Sequence, residues 1–247
     1  MMRQIDAAGR YYRDVNAEVR DRIEAGETEF TLNNVLGHRY IGAGLSGSDV
    51  CITVNGTPGN DLAAFMNGPT IVVHGNAQDG VANTMGAGTI VVHGNAGDAL
   101  GYGMRGGQVY IRGNAGYRIG IHMKSYQDNF PIVVVGGGVG DYCGEYMAGG
   151  ILVVLGLGDL GGRSIVGDFI GTGMHGGKMY VRGQIGDVIV GKEVGTNGVK
   201  GADEEMLEKV LSRFAEHFGV QREELLEQKY LQLWPVSVRP YGKIYVY

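Results

Sequence analysis

A 19-residue period governs most of this sequence. Glycines that close short apolar runs recur at spacings of 19, 19, 19, 24, 19 and 27 residues. These anchor glycines are Gly56, Gly75, Gly94, Gly113, Gly137, Gly156 and Gly183. Methionines from Met66 to Met174 follow the same frame, ten residues after an anchor glycine in all but the last case. Two residue types sharing one period predict about seven copies of one unit, with insertions near 125–129 and 157–164.

Five positions of the unit are apolar in nearly every copy. They lie four and two residues before the anchor glycine, and two, six and ten residues after it. The alternation before the glycine predicts a strand with one face turned inward. One such coil cannot bury its apolar face alone, so the repetition predicts an all-β solenoid whose stacked coils share a core. In the last copy this pattern places Ile189 in the core, six residues after Gly183.

The composition agrees with a solenoid and excludes other glycine-rich chains. Glycine supplies 46 of the 247 residues, for positive φ at corners and for close approach of neighbouring backbones. A helical unit is excluded because each glycine would cost about 1 kcal/mol relative to alanine. Only five prolines exclude collagen, and 44% hydrophobic residues argue against a disordered chain.

The charge and cysteine content predict a cytoplasmic protein without nucleic-acid or membrane partners. The formal net charge is -5, which gives no reason to expect binding to an anionic polymer or lipid surface. Two cysteines in a chain of this size suit a reducing compartment. No apolar run of membrane-spanning length occurs, and the first residues lack the features of a signal peptide.

The segments that flank the repeats have a different composition. We divide the chain into an N-terminal helix and cap (1–33), the β-helix (34–192), and C-terminal helices with an extended tail (193–247). Solenoid ends need a cover, because open strands pair with other chains. Capping is therefore the expected role of both flanks.

Helical spacing of apolar residues marks three helices in these flanks. The first covers residues 10–24, and Gly26 suits its end. Asp203 can cap a second helix, and a short third helix is expected over 222–229. The remaining tail, residues 231–247, has the aromatic-rich pattern of an extended chain.

One outward column of the solenoid is apolar, which is unusual for a free surface. This outward stripe lies three residues before the anchor glycines. It consists of Thr53, Val72, Val91, Tyr110, Val134, Val153 and Tyr180. Either the helix that follows Asp203 or a partner protein must cover it, and we expect the helix. The helix face that matches the stripe carries Met206, Val210, Leu211, Phe214 and Phe218.

Three outward columns carry polar residues, for which we expect structural roles. The acidic column, with Asp79, Asp98, Asp141, Asp168 and Asp187, suits hydrogen bonds to turn backbone better than a metal ladder. The amide column, with Asn76, Asn95 and Asn114, suits hydrogen bonds along the stack. The column of His74, His93, Arg112 and Arg182 has no third metal ligand, so we expect it to be a solvated ladder.

No constellation in the sequence predicts a catalytic or cofactor site. Segment 156–161 has the bare glycine spacing of a dinucleotide loop, but neither a helix nor a correctly placed acid is expected after it. Cys143 falls in an inward column and is expected to be an inert buried thiol. Cys51 points outward with no histidine near in sequence. We therefore expect no catalytic residue, no cofactor-binding residue and no metal ligand in this chain.

The glycine pattern resembles a known family. Segments 94–101, 113–120 and 137–144 carry glycine at their first, fourth and eighth positions. They look like the GXGXG repeat domain, which is found at the C-terminus of the glutamate synthase large subunit and in one of the subunits of formylmethanofuran dehydrogenase. Segments 41–47 and 140–156 are similar to the glutamate synthase version. The resemblance covers roughly residues 34–190.

The N-terminal part resembles the version of this domain that stands alone. The run from Ile5 and segment 38–42 are similar to chains in which glutamate synthase is split into separate polypeptides. The resemblance implies a right-handed parallel β-helix. It also implies a scaffold subunit that is not catalytic, in an enzyme that forms glutamate from glutamine and 2-oxoglutarate.

The same resemblance implies what the other subunits do. An amidotransferase subunit would hydrolyse glutamine, and a synthase subunit with FMN and an iron–sulfur cluster would reduce the imine. Two alternatives stay open: a scaffold subunit of a formylmethanofuran dehydrogenase-like complex, and an independent β-helix enzyme that binds a small ligand. The sequence does not fix whether copies of the chain associate.

Bulky polar residues on neighbouring coils are the candidate partner contacts. They are Arg105, Arg112, Arg118, His122, Glu145 and Tyr146. They lie outside the predicted core columns, and Tyr and Arg are frequent in protein interfaces.

Overall fold

The computed structural model describes residues 3–158 and 160–237. Its strands are β1 Arg3–Asp6, β2 Glu29–Leu36, β3 Cys51–Thr57, β4 Asn67–His74, β5 Ala87–Val92, β6 Gln108–Ile111, β7 Ile132–Val135, β8 Ala148–Val154, β9 Gly176–Arg182, β10 Val194–Gly198 and β11 Tyr230–Pro235. Its helices are α1 Tyr12–Glu24, α2 Ala202–Phe218 and α3 Arg222–Leu226. The described strands form one sheet in the order β1-β2-β3-β4-β5-β6-β7-β8-β9-β11-β10.

The predicted solenoid is confirmed. Strands β1 to β9 pair in parallel, each with the next, and equivalent residues of the unit face each other. Ile71, for example, pairs with Ile52 on one side and Ile90 on the other. The strands β3 to β9 carry the sequence repeat and enclose six turns between them, slightly fewer than the seven coils expected.

The sheet extends beyond the repeat at both ends. Strands β1 and β2 pair in parallel ahead of β3, so the predicted boundary between residues 33 and 34 falls inside β2. Gly37 follows β2 and lies 19 residues before Gly56, but a bulge in β2 pairs Val35 rather than Gly37 with Gly56, so this coil departs from the 19-residue frame. At the other end, β11 pairs antiparallel with both β9 and β10. The last residues of the expected extended tail, 238–247, lie outside the described residues.

The inward columns form one continuous core. Side chains four and two residues before every anchor glycine are fully buried, as are Leu100 and the methionines from Met66 to Met174. The expectation for Ile189 was wrong, since this residue is 50% exposed. Val190 forms the parallel bridge to Ile170 instead, and this shift of one residue turns Ile189 to the outside.

Two of the polar columns hold successive coils together through the backbone. The Asn76 side-chain oxygen accepts a hydrogen bond from the backbone N–H of Asn95 at 2.8 Å, one coil further on. Asp98 accepts in the same way from Tyr117 at 2.9 Å. The carboxylates therefore do bond to backbone, but in the next coil rather than in their own turn.

Glycine is required beside these polar columns because side-chain oxygens of the preceding coil come very close to the backbone there. A Cβ on Gly113 would lie 2.1 Å from the side-chain oxygen of Asn95, and one on Gly116 would lie 1.9 Å from that of Asp98. Any side chain there would displace the oxygen that caps the next coil. The repeated glycines thus lie where the amide or carboxylate of the neighbouring coil comes too close to leave room for a side chain.

The flanking helices cap and cover the solenoid. Val15 and Val19 of α1 are buried against the first coils. Helix α2 starts at Ala202, after Gly201, and makes no side-chain cap hydrogen bond. Asp203 is therefore not its N-cap, because its carboxylate binds Lys178 and Gln232 instead. Helix α3 ends at Leu226, three residues earlier than expected.

Candidate partner-binding surface

Helix α2 covers most of the outward stripe, and we call this side the covered wall. Val91, Tyr110, Val134, Val153 and Tyr180 form one buried cluster with the apolar face of the helix. The helix residues of this cluster are Leu207, Val210, Leu211, Phe214, Ala215 and Phe218. The expectation that the chain covers its own stripe is confirmed, so this stripe is not free for a partner.

The helix also reaches the histidine column, which is less solvated than expected. His74 and His93 stack with ring centroids 4.9 Å apart, and Phe218 meets the His93 ring edge-on at 5.3 Å. Desolvation, followed by the neighbouring His74, lowers the pKa of His93. Arg182 of the same column donates to the Gly156 carbonyl oxygen at 3.1 Å. The last turn of α2 extends past the stripe, and this accounts for the difference.

A polar group attaches the start of α2 to the wall. Asp203 accepts hydrogen bonds from the Lys178 ammonium and from the Gln232 amide. Desolvation opposes ionisation of Asp203, but these two hydrogen bonds outweigh it and keep the pKa of Asp203 below its usual value. Burial raises the pKa of Tyr180, which lies beside this group, and raises that of Tyr110 to about 12.

The opposite side of the coils is an open corner with unusual backbone geometry. The corner comprises residues 98–103, 117–122, 141–146 and 168–173. In the first three of these coils the fifth, seventh and ninth residues after the anchor glycine all have positive φ, as in Arg118, Gly120 and His122. Their N–H groups bond alternately to the next coil and to the preceding coil. The insertion near 157–164 moves the equivalent residues of the last coil to Phe169, Gly171 and Gly173. The left-handed residues thus let one corner pair with both neighbours.

Side-chain size at the corner depends on direction. The seventh position points into the core: a Cβ on Gly144 would lie 2.3 Å from the Met179 sulfur. The fifth and ninth positions point out, and here bulky residues tolerate left-handed backbone. They are Arg118, His122, Tyr142, Tyr146 and Phe169, with φ between 51° and 61°. Such a conformation costs roughly 1–2 kcal/mol for a residue other than glycine.

One group at the corner centres on an arginine. The Arg118 guanidinium carbon lies 5.2 Å from the centre of the Tyr142 ring, and its Nε lies 3.4 Å from Glu145 Oε2. The Tyr142 and Phe169 rings stack with centroids 5.0 Å apart and planes at 13°. Glu145 is only 8% exposed, so it holds Arg118 in place rather than presenting its own carboxylate.

A second group at the corner is a ladder of rings. His122 stacks on Tyr146 with centroids 5.3 Å apart and planes at 9°. Tyr102 meets the other side of His122 edge-on at 5.9 Å. A Cβ on Gly173 would lie 2.4 Å from the Tyr146 ring, so the next coil covers the remaining face of this ring.

The structure brings four of the six candidate contact residues together. Arg118 and Glu145 form one group, and His122 and Tyr146 form the other. Arg105 is exposed in a neighbouring column, whereas exposed Arg112 belongs to the histidine column near α2. Sequence reasoning missed the aromatic neighbours. Their signal was their position in the unit: Tyr142 and, allowing for the insertion, Phe169 lie five residues after the anchor glycine, and Tyr102 lies eight after it.

The described residues offer no arrangement typical of a catalytic or cofactor site. Gly156 starts a loop after β8 rather than a helix, so the glycine spacing there does not form a phosphate site. Asp159 of this segment lies outside the described residues. Cys143 is fully buried, and desolvation raises its pKa to about 12. Within 3–158 and 160–237, no group of three His, Cys, Asp or Glu residues could hold a metal ion.

No described helix combines the length and the apolar character that crossing a bilayer requires.

A parallel β-helix with one wall covered by its own helix and an open strained corner defines this chain as a β-helical repeat protein. Its family is shown by comparison: the GXGXG motif model matches residues 10–245. The chain belongs to the GXGXG motif family. An uncharacterized protein of Methanocaldococcus jannaschii is 43% identical over 251 residues, covering 98% of this chain and 95% of the relative.

Two further similarities concern proteins of known description. Ferredoxin-dependent glutamate synthase 2 of Synechocystis is 38% identical over 88 residues, which is 33% of this chain and 5% of that protein. A chain in the crystal structure of the formyltransferase/hydrolase complex of Methylorubrum extorquens, solved with methylofuran, superposes with a TM-score of 0.61. The superposition covers 93% of this chain and 91% of that chain. The two sequences are 21% identical, so the superposition shows a shared fold alone.

Proposed function

We propose that this chain is a structural subunit, without catalytic residues of its own, in a multi-subunit glutamate synthase. The observation that carries this proposal is the 38% identity to a segment of ferredoxin-dependent glutamate synthase 2, in the family that the whole chain matches. In that role the chain organises an amidotransferase subunit and a synthase subunit. The FMN and the iron–sulfur cluster reside in the synthase subunit, and this chain holds neither.

The structure supports a scaffold role in physical terms. A parallel solenoid buries its core through stacking, and each coil adds surface without a central cavity. In the described residues the amide and acidic columns are occupied with backbone hydrogen bonds between coils. What remains available is an extended outer surface rather than an enclosed pocket.

The alternative complex has its own observation. The superposition on a chain of the formyltransferase/hydrolase complex extends over 93% of this chain, whereas the glutamate synthase match extends over 33%. In this alternative the chain is a scaffold subunit of a formylmethanofuran dehydrogenase-like enzyme. Both candidates share the scaffold role and differ in the partner subunits.

Reconstitution distinguishes the candidates. The chain is co-expressed with the amidotransferase and synthase subunits of its own organism, and glutamine-dependent formation of glutamate from 2-oxoglutarate is measured. We expect the three-subunit mixture to be active, the chain alone to be inactive, and omission of the chain to uncouple glutamine hydrolysis from glutamate formation. Unchanged coupling without the chain would reject the glutamate synthase role. Stable association with formyltransferase/hydrolase subunits instead would establish the alternative.

A further inference from the structure

Bulky residues at the corner are concentrated where the later coils meet. The coil that follows Gly56 holds Asp61 and Phe65 at the left-handed outward positions, but the next two coils hold small residues there: Gly80, Thr84, Ala99 and Gly103. In the later coils the equivalent positions hold Arg118, His122, Tyr142, Tyr146 and Phe169. The solenoid backbone does not need these side chains, because the two earlier coils stack without them. Their presence at strained positions points to a role at the surface.

The acidic side chains of the corner bind within the solenoid: Asp98, Asp141 and Asp168 accept backbone hydrogen bonds from the next coil, and Glu145 pairs with Arg118. Residues 99–127 contain four cationic side chains and no acidic one, in a chain whose formal net charge is -5. Arg105 and Lys124 occupy the same column on adjacent coils, eleven residues after their anchor glycines, and both are exposed. Within the described residues neither has an ion-pair partner, whereas Arg118 is paired through its Nε with Glu145.

Neighbouring groups occupy several of the ring faces on which a ligand could stack. His122 and Tyr146 cover each other, Gly173 covers the far side of Tyr146, and Phe169 covers Tyr142. A nucleotide base or a sugar needs a free ring face. The Arg118 guanidinium lies beside the Tyr142 ring. Guanidinium groups suit a peptide surface that carries carboxylates.

We propose that a basic surface, formed by Arg118 and His122 of the corner and by Arg105 and Lys124 of the neighbouring column, binds an acidic segment of a partner subunit. The proposal deepens the scaffold role and rests on it for the identity of the partner. A second copy of this chain does carry acids, for example Glu204, Glu205, Glu223 and Glu224 on α2 and α3. However, the scaffold role calls for contact with a different subunit, and a head-to-tail contact between copies of this chain would continue into rings or filaments. A different subunit is therefore the occupant that we infer.

The test uses paired charge reversals in the full chain. The corner variant combines Arg105→Glu with Lys124→Glu in the column beside the corner, and Lys192→Glu combined with Lys200→Glu is the matched control at exposed lysines elsewhere. Binding to the purified amidotransferase and synthase subunits is measured at low and at high salt. We expect the corner variant to weaken binding by about 100-fold, because like charges then meet. The control should change it less than about threefold, and thermal melts should show both variants folded.

The outcomes separate this proposal from the scaffold role. If a subunit binds wild type and the corner variant equally well, the corner is not the docking surface, although the scaffold role stands. If neither subunit binds wild type, the proposed glutamate synthase fails, and a fluorescein-labelled peptide rich in Asp and Glu tests the corner by itself. Binding of this peptide that the corner variant loses supports the proposal, and no binding overturns it. A wild-type oligomer that the corner variant dissociates would make the occupant a second copy and would also overturn it.

Discussion

The covered wall and the open corner belong to the same coils but differ in what their outward residues do. On the wall, the outward column is aliphatic or aromatic, lies in regular strands, and is buried by α2. On the corner, the outward residues are bulky and partly exposed, and they hold left-handed backbone. The difference teaches that the wall stabilises the fold, whereas the corner carries side chains that stability alone does not require. Four predictions test this contrast.

The largest effect is expected on the wall. Phe214 of α2 is fully buried between the helix and the sheet. Phe214→Ala should lower the free energy of unfolding by about 3–5 kcal/mol, because it removes a large ring and leaves a cavity. Chemical denaturation measures this change. The exposed Glu216 of the same helix provides the control, and Glu216→Ala should stay within about 0.5 kcal/mol. A loss below about 1 kcal/mol for Phe214→Ala would mean that α2 does not hold the wall.

The second prediction separates the two directions at the corner. Gly144 and Gly44 both have positive φ, of 72° and 65°, but a Cβ meets the buried Met179 sulfur only at Gly144. Gly44→Ala should cost about 1 kcal/mol through the backbone alone. Gly144→Ala should cost about 1–3 kcal/mol more, because the core must accommodate the added methyl group. Equal thermal melts for the two variants would show that the seventh position does not face the core.

The third prediction concerns the outward direction. His122 has a φ of 56° and is exposed, so glycine suits its backbone better than alanine does. His122→Gly should therefore be more stable than His122→Ala by about 1 kcal/mol, the reverse of the order found in helices. Denaturation of the two variants measures the difference. The opposite order of stability would show that the left-handed backbone at residue 122 is not strained.

The smallest effect concerns the pH dependence of the wall. The folded state lowers the pKa of Asp203, so its ionised form stabilises the attachment of α2 at neutral pH. This contribution is complete above the unfolded pKa of about 4 and is lost as the pH falls through the lower folded value. Asp203→Asn should thus destabilise the protein at pH 7, and the difference from wild type should shrink towards pH 3. A constant difference across this range would assign the effect to packing.

Much of the solenoid follows from spacing, and the exceptions have identifiable causes. The inward columns were predictable because a coil of fixed length returns each residue to the same place. The pairing of β1 and β2 was not, because a bulge in β2 shifts this coil out of the 19-residue frame. Ile189 left the core because a shift of one residue at the last bridge reverses its direction. Asp203 was expected to cap α2, yet a lysine and a glutamine from distant strands compete for its carboxylate.

The candidate surface was only partly predictable for a related reason. Column alignment identified Arg118, His122, Glu145 and Tyr146 as bulky and polar. It did not show that Glu145 is buried beneath Arg118, or that His122 and Tyr146 stack. Those contacts depend on the offset between two coils and on the left-handed residues between them. An alignment of single columns shows neither.

The sequence alone determined the architecture of this protein: the period, the inward face, the need to cover one outward stripe, and the membership in a glycine-rich repeat family. The physical reason is that coils of equal length bury their repeated apolar positions by stacking in register. Only the tertiary structure decided which element covers the stripe, which carboxylates hold a helix or an arginine, and which side remains open. Those choices depend on contacts between residues far apart in the chain, where small differences in distance decide which partner a group binds.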